Sequence, residues 1–192
     1  LKRVNKTVTF HDPCQVSRHP RCDPIVLRGN AGNLRLMTTV EVFADVLCPF
    51  THVGLHTLID RRTERGLDHP RLRIRAWPLE LINGKSLDPD HIEAEIVALR
   101  GSVRPDLFAG FTVDSFPATS MAAFALTAAA DRTGDPVLIE EVGMALRDAV
   151  FEQGLDIGQP EVVRSVAVRY GLTPLDADAT EAAVRADWDE GK

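Results

Sequence analysis

At 192 residues, with 44% hydrophobic and 26% charged side chains, the chain has the length and balance of one globular domain, or of one domain carrying an insertion. Its net charge of -6, without any basic cluster interleaved with aromatics, excludes a nucleic-acid partner, and no apolar run nears the ~20 residues of a membrane span. Polar and charged residues follow Lys2, Arg3 and Lys6 where a secretory signal would turn apolar, and three cysteines make no disulfide framework, so a cytoplasmic location is expected.

Residues 1–36 differ in character from the rest. They hold Cys14 and Cys22, together with Pro13, Pro20 and Pro24, and only Lys6 to Phe10 reads as a strand. They read as an N-terminal extension, and Met37 would serve as a native start codon. From Met37, Val40, Val42 and Ala44 alternate with Glu41, Phe43 and Asp45, the pattern of a strand. Pro49 at a first-turn position and Gly66 past the last periodic residue bracket a helix carrying Val53, Leu55, Leu58 and Ile59. Leu72, Ile74 and Ala76 alternate with Arg71, Arg73 and Arg75 in a second strand, which ends at Trp77-Pro78.

Asp88-Pro89 opens a helix with Ile92, Ile96 and Leu99 that closes at Gly101, and residues 101–117 read as a loop rich in Gly, Pro and Phe. Thr119 or Ser120 caps an Ala-rich helix running to Asp131. Asp135-Pro136 starts another, periodic to Val150 and ended by Gly154; Gln159-Pro160 starts the next, closed by Gly171. A last helix begins between Asp176 and Thr180 and reaches Trp188. Two strands alone do not make a stable sheet. The expectation is therefore that the remaining strands lie beyond Lys192.

The chemistry centres on Cys48, which stands where a β-branched run becomes a proline-started helix. There the unpaired N–H groups of the first turn and the positive end of the helix dipole favour thiolate over thiol. A buried cysteine packing as a small apolar residue is the plainer alternative. Thr51 could donate a hydrogen bond to the Cys48 sulfur or only bond its own backbone. Asp45 could be an acid beneath the site or a strand-end residue capping the next turn. His52 and His56 share the Cys48 face of the helix, where His52 could assist proton transfer; otherwise both are solvated. Zinc ligation with Cys48 is set aside, since eight helical residues place His56 ~12 Å away. No metal is expected. Trp77 and Phe116 could line a groove or pack in the core.

Several segments together resemble the DsbA-like thioredoxin-fold family. They are Asp45-x-x-Cys48-Pro49-Phe50 with Gly54, Trp77-Pro78-Leu79, Ser120 before the Ala-rich run, and Phe151-Glu152-Gln153-Gly154-Leu155-Asp156-Ile157. Within the family the chain is similar to the cytoplasmic branch that includes 2-hydroxychromene-2-carboxylate isomerases and kappa-class glutathione transferases. The resemblance implies an α/β, thioredoxin-like fold with a large all-helical insertion. It divides the chain into a first thioredoxin half over 37–85, the insertion over 86–174, and the start of the returning half over 175–192. Such proteins return to the sheet through a strand preceded by a cis-proline that faces the active sulfur, and that segment is expected beyond Lys192. Thr51 replaces the second cysteine of a Cys-Pro-x-Cys pair, while the isomerases and transferases have serine at the first. A weaker likeness of Val8 to Cys14, with Arg18, to iron–sulfur subunits lacks partner cysteines and carries no metal role.

The function implied is a thiol-dependent oxidoreductase. Cys48 is the nucleophile, Thr51 and Asp45 assist it, and Pro49, Phe50, His52 and Trp77 contact substrate. No cofactor is bound; glutathione or an equivalent low-molecular-weight thiol is the cosubstrate, because Thr51 cannot resolve a mixed disulfide. The expected partner is a small thiol or disulfide, with a homodimer also in view. Two alternatives stay open: a glutathione-dependent isomerase or transferase acting on aromatic substrates, and a noncatalytic protein that binds partners through the insertion.

Overall fold

The computed structural model describes residues 39–192. The expected strand at residues 6–10, Cys14, Cys22 and Met37 lie outside the described residues. The first described elements form a βαβ unit: β1 (Thr39–Ala44), α1 (Pro49–Glu64) and β2 (Arg71–Ala76). The strands pair in parallel, with Val42 opposite Ile74 and Ala44 opposite Ala76. Among the described residues the sheet has these two strands.

Both faces of that pair are covered, and the alternation in the sequence says how. On the apolar face Leu72, Ile74 and Ala44 pack with Leu55 of α1 and Met144 of α5 (Pro136–Phe151). Gly143 sits directly against this face: a Cβ there would lie 2.8 Å from Ile74 Cδ1, so the isoleucine tip would have to turn aside. On the other face the arginines of β2 meet carboxylates. Arg73 is bridged to Asp131, at the end of α4 (Met121–Asp131), and Arg75 to Asp187 and Glu190 of α7 (Ala177–Glu190).

The remaining helices follow their punctuation. Asp88, Asp135 and Asp176 cap α3 (Pro89–Ser102), α5 and α7, each carboxylate accepting a first-turn N–H. At α4 the hydroxyl of Thr119 accepts from Met121 N at 3.2 Å, while Ser120 holds the N-cap position without capping. Two short elements went unforeseen: α2 (Leu79–Asn83), and a 3-10 turn at Val113–Ser115 inside the expected loop. Neither is long enough to show a period in the sequence. The main core joins Phe108, Phe116, Phe124, Leu146, Phe151 and Ile157 with further apolar residues of α3 to α7, α6 being Pro160–Arg169.

A buried carboxylate ties α5 to the βαβ unit. Glu140 accepts both guanidinium nitrogens of Arg62 at 2.6 Å, Arg71 at 2.9 Å and the Leu72 N–H at 2.8 Å. This clamp sets the register in which α5 delivers its last two turns to the start of α1.

Candidate active site at the start of the first helix

The turn between β1 and α1 is held by Asp45. Its Oδ1 accepts from Leu47 N at 2.9 Å, and its Oδ2 accepts from Leu79 N at 2.6 Å and the Ser120 hydroxyl at 3.4 Å. One carboxylate thus joins the turn, α2 and the entry to α4. Burial pushes the Asp45 carboxyl above its ordinary value, against the pull of those donors and of Arg147. The strand-end capping role is plain in this geometry, and the residue is also buried beneath the site, 2% exposed.

Cys48 is the N-cap residue of α1, with extended φ and ψ of -86° and 113°, and is half-buried. Pro49 follows fully buried, and Phe50 is 55% exposed. The side chain of Cys48 makes no capping hydrogen bond. A capping side chain at this position would accept from the N–H of Phe50 or Thr51, and the Cys48 sulfur accepts from neither. Of the two roles open to Thr51, the structure shows the backbone one. Its hydroxyl donates to Cys48 O at 2.9 Å and lies 3.4 Å from Asp45 O, so its hydrogen goes to backbone carbonyls and not to the sulfur.

The positive group of the site is Arg147, for which the sequence reading had no role. It is fully buried, donating from Nη2 to Asp45 O and from Nη1 to Gly143 O, both at 3.1 Å. Burial pulls its pKa down to about 10, while the charges of Asp45, Cys48 and Asp148 favour the cation, so it stays protonated at neutral pH. A signal existed in the sequence. Gly143, Arg147 and Phe151 succeed one another at helical spacing on a face that is otherwise apolar, where a charge must have buried partners.

One turn after Cys48, His52 is fully buried, its ring 5.2 Å from that of Phe108 and 4.8 Å from that of Phe151. The reading of both histidines as solvated is therefore corrected for His52: α5 and the loop before α4 close over that face of α1. His52 Nε2 bonds Glu152 Oε1 at 2.8 Å, and His56 Nε2 bonds Asp148 Oδ1 at 2.8 Å. Burial lowers the His52 pKa to about 4 despite Glu152, so the ring is neutral at pH 7. Glu152 also accepts from Phe108 N at 2.7 Å and Ala109 N at 3.1 Å. Those bonds hold Phe108 at φ 66°, a left-handed conformation rare outside glycine.

Trp77 lies edge-on to Phe43, with ring centres 6.2 Å apart, and a Cβ on Gly191 would lie 2.7 Å from its ring. Phe116 belongs to the main core. A large apolar cavity of about 920 Å³ opens elsewhere, between α2, α4, α6 and α7, and its lining includes neither Cys48 nor Asp45. The site chemistry is therefore placed at the α1 start, on the titratable groups, and not in this cavity.

The family model for the DSBA-like thioredoxin domain matches residues 39–190, from the first residue of β1 to the last of α7. The chain belongs to this family. No curated protein and no solved structure matches it. Members of the DSBA-like family are generally thiol–disulfide oxidoreductases or isomerases. The βαβ start, the Cys-Pro turn and seven helices among the described residues are the form the family takes here.

Proposed function

We propose that the protein is a thiol–disulfide oxidoreductase that works through Cys48 alone and an external thiol. The observation that carries this reading is the position of the half-exposed Cys48 at the N-cap of α1, within the charge field of a buried, protonated Arg147. Both features leave the sulfur open to a substrate disulfide and close to a fixed positive charge. The Cys48 thiolate attacks one sulfur of a disulfide, forms a mixed disulfide and releases the other half as a thiolate. Residue 51 is threonine, so no neighbouring sulfur resolves that bond. A second small thiolate attacks the substrate's sulfur, forms a new disulfide with it and returns Cys48 as thiolate. Glutathione or an equivalent low-molecular-weight thiol is the cosubstrate, and no bound cofactor enters the cycle.

In this reading Asp45 and Arg147 set the turn that presents the sulfur, and exposed Phe50 forms the edge against which substrate lies; Pro49, expected to touch substrate, is fully buried and serves only to start the helix. Residues 37–85 and 175–192 belong to the thioredoxin part, with 86–174 an insertion. The test is intact mass after exposure to glutathione disulfide. One glutathionyl adduct is expected, lost in Cys48→Ala. An unmodified chain, or an adduct on Cys14 or Cys22 in its place, would refute the proposal. Retained activity in Cys48→Ser would transfer the chemistry to glutathione bound noncovalently.

A further inference from the structure

We infer that α1 and α5 together form a divalent transition-metal site, suited first to zinc, with His52, His56 and Asp148 as ligands and Glu152 behind them. The inference stands apart from the thiol chemistry, since Cys48 is not among these ligands.

The geometry begins with two helical pairs that face one another. His52 and His56 are one turn apart on α1, and Asp148 and Glu152 are one turn apart on the helical end of α5. The two imidazole ring centres are 4.5 Å apart. One donor atom from each of His52, His56 and Asp148 lies within 4.8 Å of the other two. Zinc bonds of ~2.1 Å at a tetrahedral angle need donors about 3.4 Å apart. Rotamer adjustments of about 1 Å, on side chains of which two are partly exposed, bring the three to that spacing.

Two hydrogen-bonded pairs pinning one helix to another would account for most of this arrangement without a metal. They do not account for His52 Nδ1. Glu152 takes two backbone N–H groups on its carboxylate oxygens and is an acceptor, so the hydrogen between it and His52 sits on His52 Nε2. That leaves Nδ1 with a bare lone pair. The side chain is 0% exposed, and Nδ1 has no hydrogen-bond partner. An unmet acceptor in a buried setting costs free energy. A metal ion satisfies it.

The surroundings suit that occupant. A carboxylate that accepts the far N–H of a ligating histidine fixes the tautomer and strengthens the donor, as Glu152 does here. Two imidazoles and one carboxylate are a borderline donor set, matched to zinc and its neighbours rather than to calcium or magnesium. Three protein ligands leave a fourth position open. The side chains of His56 and Asp148 are 20% and 32% exposed, so that position and the entry path face solvent.

The test uses the full chain, freed of metal by a chelator, with Co2+ as an optical probe and Zn2+ followed by calorimetry. One equivalent is expected to bind, with cobalt absorption bands of tetrahedral intensity and a raised melting temperature. His56→Ala and Asp148→Asn, both partly exposed and so compatible with folding, should each weaken binding at least tenfold. Glu152→Gln should weaken it about 10–100-fold. Cys48→Ala and the double variant Cys14→Ser with Cys22→Ser should bind as the wild type does. No saturable binding, binding indifferent to His56→Ala, or binding lost with the cysteines would each overturn the assignment.

Discussion

Glu140→Gln tests whether α5 is held to the site by one buried clamp. The side chains of Glu140 and Arg62 are 4% and 7% exposed, and the pair is bidentate at 2.6 Å, with Arg71 and the Leu72 N–H also donating. Removing one member of a buried ion pair costs ~3–5 kcal/mol, because the partner charge is left in a poorly hydrated place. The glutamine carbonyl still accepts one hydrogen bond, which returns about 1 kcal/mol. The expected loss is ~2–4 kcal/mol, against a total stability of about 5–15 kcal/mol. With a urea slope of roughly 2 kcal/mol per molar, the unfolding midpoint falls by ~1–2 M. Burial alone would raise the Glu140 carboxyl, but donation from Arg62, Leu72 and Arg71 outweighs it and holds the group below 4.5. A depressed folded-state value stabilises above the unfolded one and is lost as pH falls through it. The gap between wild type and variant is therefore full at pH 7 and closes as pH drops below 4.5. A midpoint shift under ~0.3 M, or a gap that widens in acid, refutes the reasoning.

The residues around Cys48 offer two further tests. Arg147→Met exchanges the buried cation for an apolar side chain of similar reach; the fold should persist by circular dichroism, while alkylation of Cys48 by iodoacetamide at pH 7 slows severalfold. An unchanged rate would detach Arg147 from the sulfur. Asp45 has the opposite linkage to Glu140, because burial raises its carboxyl above 3.8. Its contribution is present below the unfolded value and is lost as pH rises through the raised one. The stability of wild type relative to Asp45→Asn should thus decline upward from pH 3.8 and then level off, as read by urea unfolding across that range. A difference that grows with pH would show that the hydrogen bonds to Asp45, and not its burial, set the balance.

Much of the scaffold was legible because its signals are local. Pro49, Pro89, Pro136 and Pro160 each begin a helix within a residue of where the sequence places it, since a fixed φ and a missing N–H suit that position only. The arginine and aliphatic faces of β2 were equally plain, as a period of two in a strand means two faces whatever covers them. The site was legible only in part. Cys48 and Asp45 stand in the turn where they were expected, but the groups that define their surroundings come from residues a hundred positions away: Arg147 on Asp45 O, and Glu152 on His52.

By itself, then, the sequence determined where each long element begins and ends, which strand faces are apolar, and that one cysteine precedes a helix. Those properties depend on dihedral limits and side-chain period within a few residues. Only the tertiary structure decided that His52 is sealed under two phenylalanines, that the Thr51 hydrogen serves carbonyls, and that a buried arginine supports the turn. The energies of burial, charge and hydrogen bonding depend on what arrives from the far side of the fold, which here is α5, clamped to the βαβ unit by Glu140.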